Sequence, residues 1–194
     1  DSEPRTLTKE RDTAEISVKI FPENATFRDI EFKCCTDNGV EISFAKVVSF
    51  DGNTATLKAF GDGKFRLRAY SKNGTDIPKI ISELEYTAEG LGKAEKNPYI
   101  FIAACLCDFS NVPVITIDRG SLGGFNGRTT VGFSSVDFGG GTKKITISVG
   151  NSGGGEDYPV ELYLGDADNG GRYIGTFAIK NNGGWDSAYP QTFD

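Results

Sequence analysis

The stretch NTATLKAFGDGKFRLRA, Asn53 to Ala69, decides the fold class. Ala55, Leu57 and Ala59 alternate with polar residues, and Phe65, Leu67 and Ala69 do the same after an interruption. A period of two is the signature of a strand with one buried face. The interruption, Gly61-Asp62-Gly63, joins residue types that tolerate turn conformations, and predicts a tight hairpin. Lys64, Arg66 and Arg68 fall on the opposite face of the second strand and read as a solvated row.

The same pattern continues in both directions. Upstream, Ile16, Val18 and Ile20 alternate, then Ile30, Phe32 and Cys34, then Val40, Ile42 and Phe44, then the run Val47 to Phe50. Asp37-Asn38-Gly39 and Asp51-Gly52-Asn53 supply turns between them, and Lys72-Asn73-Gly74 supplies one downstream, before a last strand over Ser82 to Thr87. Six or seven short strands at this spacing predict a β-sandwich of immunoglobulin type over residues 14–90. Residues 1–13 are a polar lead-in, and residues 91–98 a charged, glycine-containing linker closed by Pro98.

Residues 99–194 read as a second β-sandwich, of jelly-roll type. Tyr99 to Phe109 predicts an apolar strand buried on both faces. Val131 to Val149, VGFSSVDFGGGTKKITISV, predicts two strands separated by a glycine-rich turn. Val160, Leu162 and Leu164 form the next inward row, and Phe177 and Ile179 another.

Bulk composition narrows the function. The chain has 194 residues, 25 of them Gly, with a net charge of −6. No basic field exists to draw phosphates, which argues against nucleic acid or an anionic membrane as partner. The longest apolar run is too short to span a bilayer. The absence of His removes the commonest base and metal ligand. The absence of Met, in a chain that begins at Asp1, reads as a piece of a longer protein. Cys34, Cys35, Cys105 and Cys107 lack zinc-site spacing and read as free thiols. Asn24-Ala25-Thr26 and Asn73-Gly74-Thr75 match the N-glycosylation pattern and read as chance matches.

Two resemblances add to this reading. PENAT (Pro22–Thr26), DNGVE (Asp37–Glu41) and the Asn53–Ala69 stretch resemble the bacterial immunoglobulin-like modules appended to glycoside hydrolases and surface proteins. Val136–Gly139, Ile145–Val149, Gly153–Gly155, Val160–Asp166, Arg172–Ile179 and Asn182–Trp185 resemble, in that order, the steps of a family 6 carbohydrate-binding module. The pair of modules, with NPYIFIAACLCDFSN (Asn97–Asn111) at their junction, resembles the C-terminal accessory region of family 2 glycoside hydrolases of the bacterial β-galactosidase type.

The second resemblance implies a sugar held between two aromatic rings in loops at one end of the sandwich, because the C–H face of a pyranose stacks on an aromatic surface. Trp185 matches one of those aromatics, and Phe125 is the nearest candidate for the other. Each is also readable as a packing residue. Tyr163, Tyr173 and Glu161 form a further candidate site on the sheet face, with a plain outward surface as the alternative. The family's calcium-binding Glu-x-Glu step is replaced here by Ile102-Ala103-Ala104-Cys105. The family also has two further strands, with an Asn-bearing loop, beyond the position of Asp194.

Asp166 and Asp168 place oxygen ligands at alternate positions, which suits a calcium ion. The twelve-residue calcium-loop pattern is missing, and an Asp/Asn/Gly turn is the preferred reading. No other cofactor is implied. No nucleophile elbow, phosphate loop or metal cluster marks a catalytic centre. The expected function is therefore non-catalytic: an accessory fragment of a glycoside hydrolase that binds an oligo- or polysaccharide, or alternatively one that only packs against the parent's catalytic domain.

Overall fold

A computed structural model describes residues 5–52, 54–116, 120–151, 156–184 and 188–194. The protein is all-β, with strands β1–β15 and only short 3-10 turns among the described residues. It divides into two compact units, Asp1–Asp137 and Phe138–Asp194. Residues 99–137, assigned by the sequence to the second module, thus lie within the first unit.

The first unit is built on β1 (Thr6–Thr8), β2 (Thr13–Ser17), β3 (Glu31–Cys35), β4 (Ala45–Phe50), β5 (Thr54–Ala59), β6 (Gly63–Ser71) and β7 (Ile80–Glu89). One sheet has the order β1-β7-β6-β3 and the other β2-β5-β4. With the strands lettered A to G in chain order, these are A-G-F-C and B-E-D. That is the immunoglobulin arrangement with its first strand moved to pair in parallel with the last. The expected alternation fills the space between the sheets. Leu57, Ala59, Phe65, Leu67, Tyr86 and Ala88 are buried there with Leu7, Cys34, Ile42 and Ala45. Phe65 is the hub, edge-on to Phe44 and stacked on Tyr86, each at 5.8 Å between ring centres. Full burial of side chains of this size contributes about 1.5–3 kcal/mol apiece.

Gly61-Asp62-Gly63 does not close a hairpin. β5 and β6 belong to different sheets, so the three residues carry the chain across the core. The glycines answer to close approach. A Cβ on Gly61 would lie 2.5 Å from the Ala94 backbone nitrogen, and one on Gly63 would lie 2.6 Å from the Phe44 ring. Asp62 completes the corner. Its N–H donates to the Gly92 carbonyl (2.7 Å), and its carboxylate accepts from the Leu91 N–H (2.8 Å).

The expected linker, residues 91–98, is therefore fastened to the sandwich at its start. It is fastened again further on. The Lys96 N–H donates to the Ser135 carbonyl, and the Asp137 N–H to the Lys96 carbonyl. The Lys96 ammonium, only 15% exposed, lies 2.9 Å from the Asp108 carboxylate, which also accepts from the Ser134 N–H. Burial works to raise the Asp108 carboxyl, but the Lys96 and Ser134 hydrogen bonds outweigh it and hold the group below its ordinary value of 3.8.

The apolar run Tyr99–Phe109 is not the buried strand that was expected. Tyr99, Ile100 and Phe101 are 62%, 58% and 79% exposed, and Ala104–Leu106 is a 3-10 turn. Asn97 caps the Tyr99 N–H just after its own Pro98 step, turning the chain before a strand can start. Short ribbons follow: β8 (Phe109–Ser110) with β11 (Val131–Gly132), and β9 (Ile115–Thr116) with β10 (Leu122–Gly123). The cysteines are free, and burial pushes the Cys34 thiol up to about 12.

The Arg66/Arg68 row is a surface ion-pair network. Arg66 meets Asp37, Glu83 and Glu85, and Arg68 meets Glu83.

The second unit holds β12 (Ile145–Val149), β13 (Tyr158–Leu164), β14 (Arg172–Ile179) and β15 (Tyr189–Phe193). β12 pairs with β15 and β13 with β14, both antiparallel. The two strands expected within Val131–Val149 therefore pair elsewhere, β11 in the first unit and β12 in the second. Phe177 and Phe193 stack at 4.2 Å and join the two layers. The buried Gln191 side chain brackets residue 180, accepting from the Lys180 N–H and donating to its carbonyl. Asn151 and Asn182 clasp the far end: the Asn151 N–H donates to Asn182 Oδ1 (2.7 Å), and the Asn182 N–H to the Asn151 carbonyl (3.1 Å).

The corner makes a stability prediction. Gly61→Ala forces a Cβ against backbone, and should destabilise the first unit by about 1–3 kcal/mol in urea unfolding. Gly127→Ala, with no atom within 4 Å of its Cβ position, should stay within about 0.5 kcal/mol. Equal effects would show that the corner is not tightly held.

Candidate functional site

The β13–β14 ribbon has an inward and an outward face. Val160, Leu162, Gly175, Phe177 and Ile179 occupy the inward one, and all are at least half-buried. Glu161, opposite Thr176, starts the outward one. Strict alternation along β14 would then turn Tyr173 inward. It does not, because Leu162 pairs with Gly175 while Tyr163 pairs with Tyr173, which leaves Ile174 without a partner. This one-residue bulge shifts the phase of β14. Tyr173 comes round to the outward face, directly across from Tyr163.

The result is a cluster of four side chains. The tyrosine rings meet edge to face, with centres 5.6 Å apart and planes at 68°. The Tyr163 hydroxyl donates to the Glu161 carboxylate at 2.7 Å. The Tyr173 hydroxyl is 2.8 Å from the Thr176 hydroxyl. Both phenols are thus tied down at their polar ends, and Tyr173 remains 53% exposed. The carboxylate hydrogen-bonded to Tyr163 raises the pKa of that phenol, because ionisation would set two negative charges side by side.

Glu161, Tyr163 and Tyr173 are therefore brought together on one face of the ribbon. Thr176 and the bulge at Ile174 were missed. Their only signal was the broken alternation of Arg172–Ile179.

Phe125 belongs to the first unit, 51% exposed in the loop after β10. That loop is shaped by Asn126, whose side-chain oxygen accepts from the Arg128 N–H and whose own N–H donates to Thr129 Oγ1. Trp185 lies outside the described residues.

Asp166 uses both carboxylate oxygens locally, accepting from the Asp168 N–H (2.9 Å) and the Asn169 side chain (2.6 Å). These bonds hold its carboxyl below the ordinary range. The arrangement caps the 3-10 turn Ala167–Asn169, which is the turn reading of GDADN. No group of three or more His, Cys, Asp or Glu able to hold a metal ion occurs among the described residues.

Chemically, the cluster offers two fixed aromatic surfaces, a carboxylate acceptor and a hydroxyl. That set suits a flat ligand with one apolar face and hydroxyl groups at its rim. Glycoside hydrolysis takes two carboxyl groups flanking one bond, and Glu161 is the only carboxylate among the outward residues of this ribbon. Along β15 runs a shallow, open depression bounded by Phe177, Lys180, Tyr189, Gln191 and Phe193. No family model, curated protein or solved structure matches the chain.

The Tyr163–Glu161 bond is testable by near-ultraviolet titration of tyrosine ionisation. Glu161→Gln removes the neighbouring negative charge, so one tyrosine should ionise at lower pH than in the parent. Tyr163→Phe should remove that shifted component. Identical titration curves for Glu161→Gln and the parent would show that the bond does not form in solution.

Proposed function

We propose that the second unit is a carbohydrate-binding module, and that the chain is a non-catalytic accessory region of a bacterial glycoside hydrolase of the β-galactosidase type. The observation that carries this reading is the Tyr163–Tyr173 pair, held edge to face on an exposed sheet with its hydroxyls anchored. A pyranose laid on Tyr173 sets its axial C–H groups on the ring. Its rim hydroxyls then meet Glu161 and Thr176. Fixed rings lose little freedom on binding, which favours recognition by a small number of aromatic contacts. The motif resemblance supports the same class of ligand and implies Trp185 as a second aromatic.

A second reading rests on a different observation. Tyr99, Ile100 and Phe101 are consecutive and exposed on the first unit, which favours packing of that unit against the parent's catalytic domain. In this reading the chain is a scaffold with no glycan affinity.

Isothermal calorimetry of the full chain against galactosides, xylo-oligosaccharides and β-glucans separates the two. Binding to one class is expected, and Tyr173→Ala should weaken it about tenfold, the loss of roughly one aromatic contact. Trp185→Ala tests the loop site independently. Absence of binding to every glycan would overturn the carbohydrate reading and favour the scaffold. Binding that survives Tyr173→Ala but not Trp185→Ala would move the site to the loop.

A further inference from the structure

The chain has five Asn-Gly steps, at Asn38, Asn73, Asn126, Asn169 and Asn182. Glycine after asparagine leaves the following amide nitrogen open to approach the side-chain carbonyl carbon. The fold treats the five differently. Asn182 is the most restrained: its side chain accepts from the Asn151 N–H and donates to the Val149 carbonyl, and the Gly183 N–H is taken by Asn181. Asn169 donates to Asp166. Asn126 accepts from the Arg128 N–H. Among the described residues the Asn38 side chain has no hydrogen-bond partner, but the Gly39 N–H that would attack it is bound to the Thr36 carbonyl at 2.9 Å.

Asn73 stands apart. It sits at the tip of the β6–β7 turn, exposed, in the left-handed region with φ 49°, and is followed by Gly74 at φ 74°. Among the described residues, neither its side-chain amide nor the Gly74 N–H has a hydrogen-bond partner. The turn is closed around them by the Thr75 N–H and hydroxyl, both donating to the Lys72 carbonyl.

We propose that Asn73 is a self-modification site, the residue at which the folded chain converts spontaneously to aspartate and isoaspartate. Hydroxide removes the Gly74 amide proton. The nitrogen attacks Asn73 Cγ, forming a C–N bond, and the Cγ–Nδ2 bond breaks, releasing ammonia. Water then opens the succinimide at either carbonyl. The net change is one water consumed and one ammonia released, with no oxidant; the hydroxide is regenerated when water protonates the departing nitrogen. The product carries a new carboxylate beside Lys72, which is paired with Glu31 at 3.0 Å. The isoaspartate form also lengthens the main chain inside the turn that the Thr75 N–H closes onto the Lys72 carbonyl.

Peptide mapping by mass spectrometry tests this on the full chain, incubated at mildly alkaline pH with and without urea. In the native protein Asn73 should convert first. Asn182 must surrender two side-chain hydrogen bonds to react, and should lag by about tenfold or more. In urea the five steps should converge, because the protection comes from the fold. Native conversion at Asn182 or Asn126 as fast as at Asn73 would overturn the proposal. So would an order that persists unchanged in urea.

Discussion

Much of the first unit depends on one short passage of chain that has no room for a side chain at either of its glycines. Between β5 and β6 the backbone crosses from one sheet to the other. At Gly61 it passes within a Cβ's reach of the Ala94 backbone, and at Gly63 it passes against the Phe44 ring. Both hydrogen bonds of Asp62 then reach into residues 91–92. The corner thereby sets where Phe65 enters the core, and it also draws the following segment onto the sandwich. From there Lys96 connects to Asp108 and Ser134. What reads as a linker in the sequence is bonded at both ends. This explains why the first compact unit extends to Asp137 rather than ending near residue 90.

A second local constraint shapes the candidate site. One unpaired residue, Ile174, decides which face Tyr173 occupies. Without it, β14 would keep its phase and the two tyrosines would lie on opposite sides of the ribbon. The bulge thus converts an ordinary two-stranded sheet into one with adjacent aromatic rings on its outer surface. The hydrogen bonds to Glu161 and Thr176 then fix ring positions that solvent-exposed tyrosines would otherwise leave free.

The sequence revealed most where side-chain alternation and burial agree. The rows Ala55-Leu57-Ala59 and Phe65-Leu67 were legible because one face of each strand meets a core. Connectivity was less legible. A glycine-rich turn between two alternating runs looks the same whether it folds back within a sheet or crosses to another. Only the partner that touches Gly61 distinguishes them, and that partner is thirty-odd residues away in the chain. The Tyr99–Phe109 run misled because apolar content alone carries no period. The strand Tyr189–Phe193 was silent because Pro190 lacks an N–H and normally argues against a paired strand. At the site, Glu161, Tyr163 and Tyr173 could be named from their residue types. Their meeting could not, because it depends on a bulge that shows in the sequence only as a lapse in alternation.

The glycan site proposed above is a sheet surface of the second unit, between β13 and β14. Backbone amide spectra of the full chain, recorded during titration with the oligosaccharide that binds most tightly, test that placement most directly. The account predicts saturable shifts concentrated at residues 161–163 and 173–176. Shifts confined to other residues, or no shift with any glycan, would contradict it.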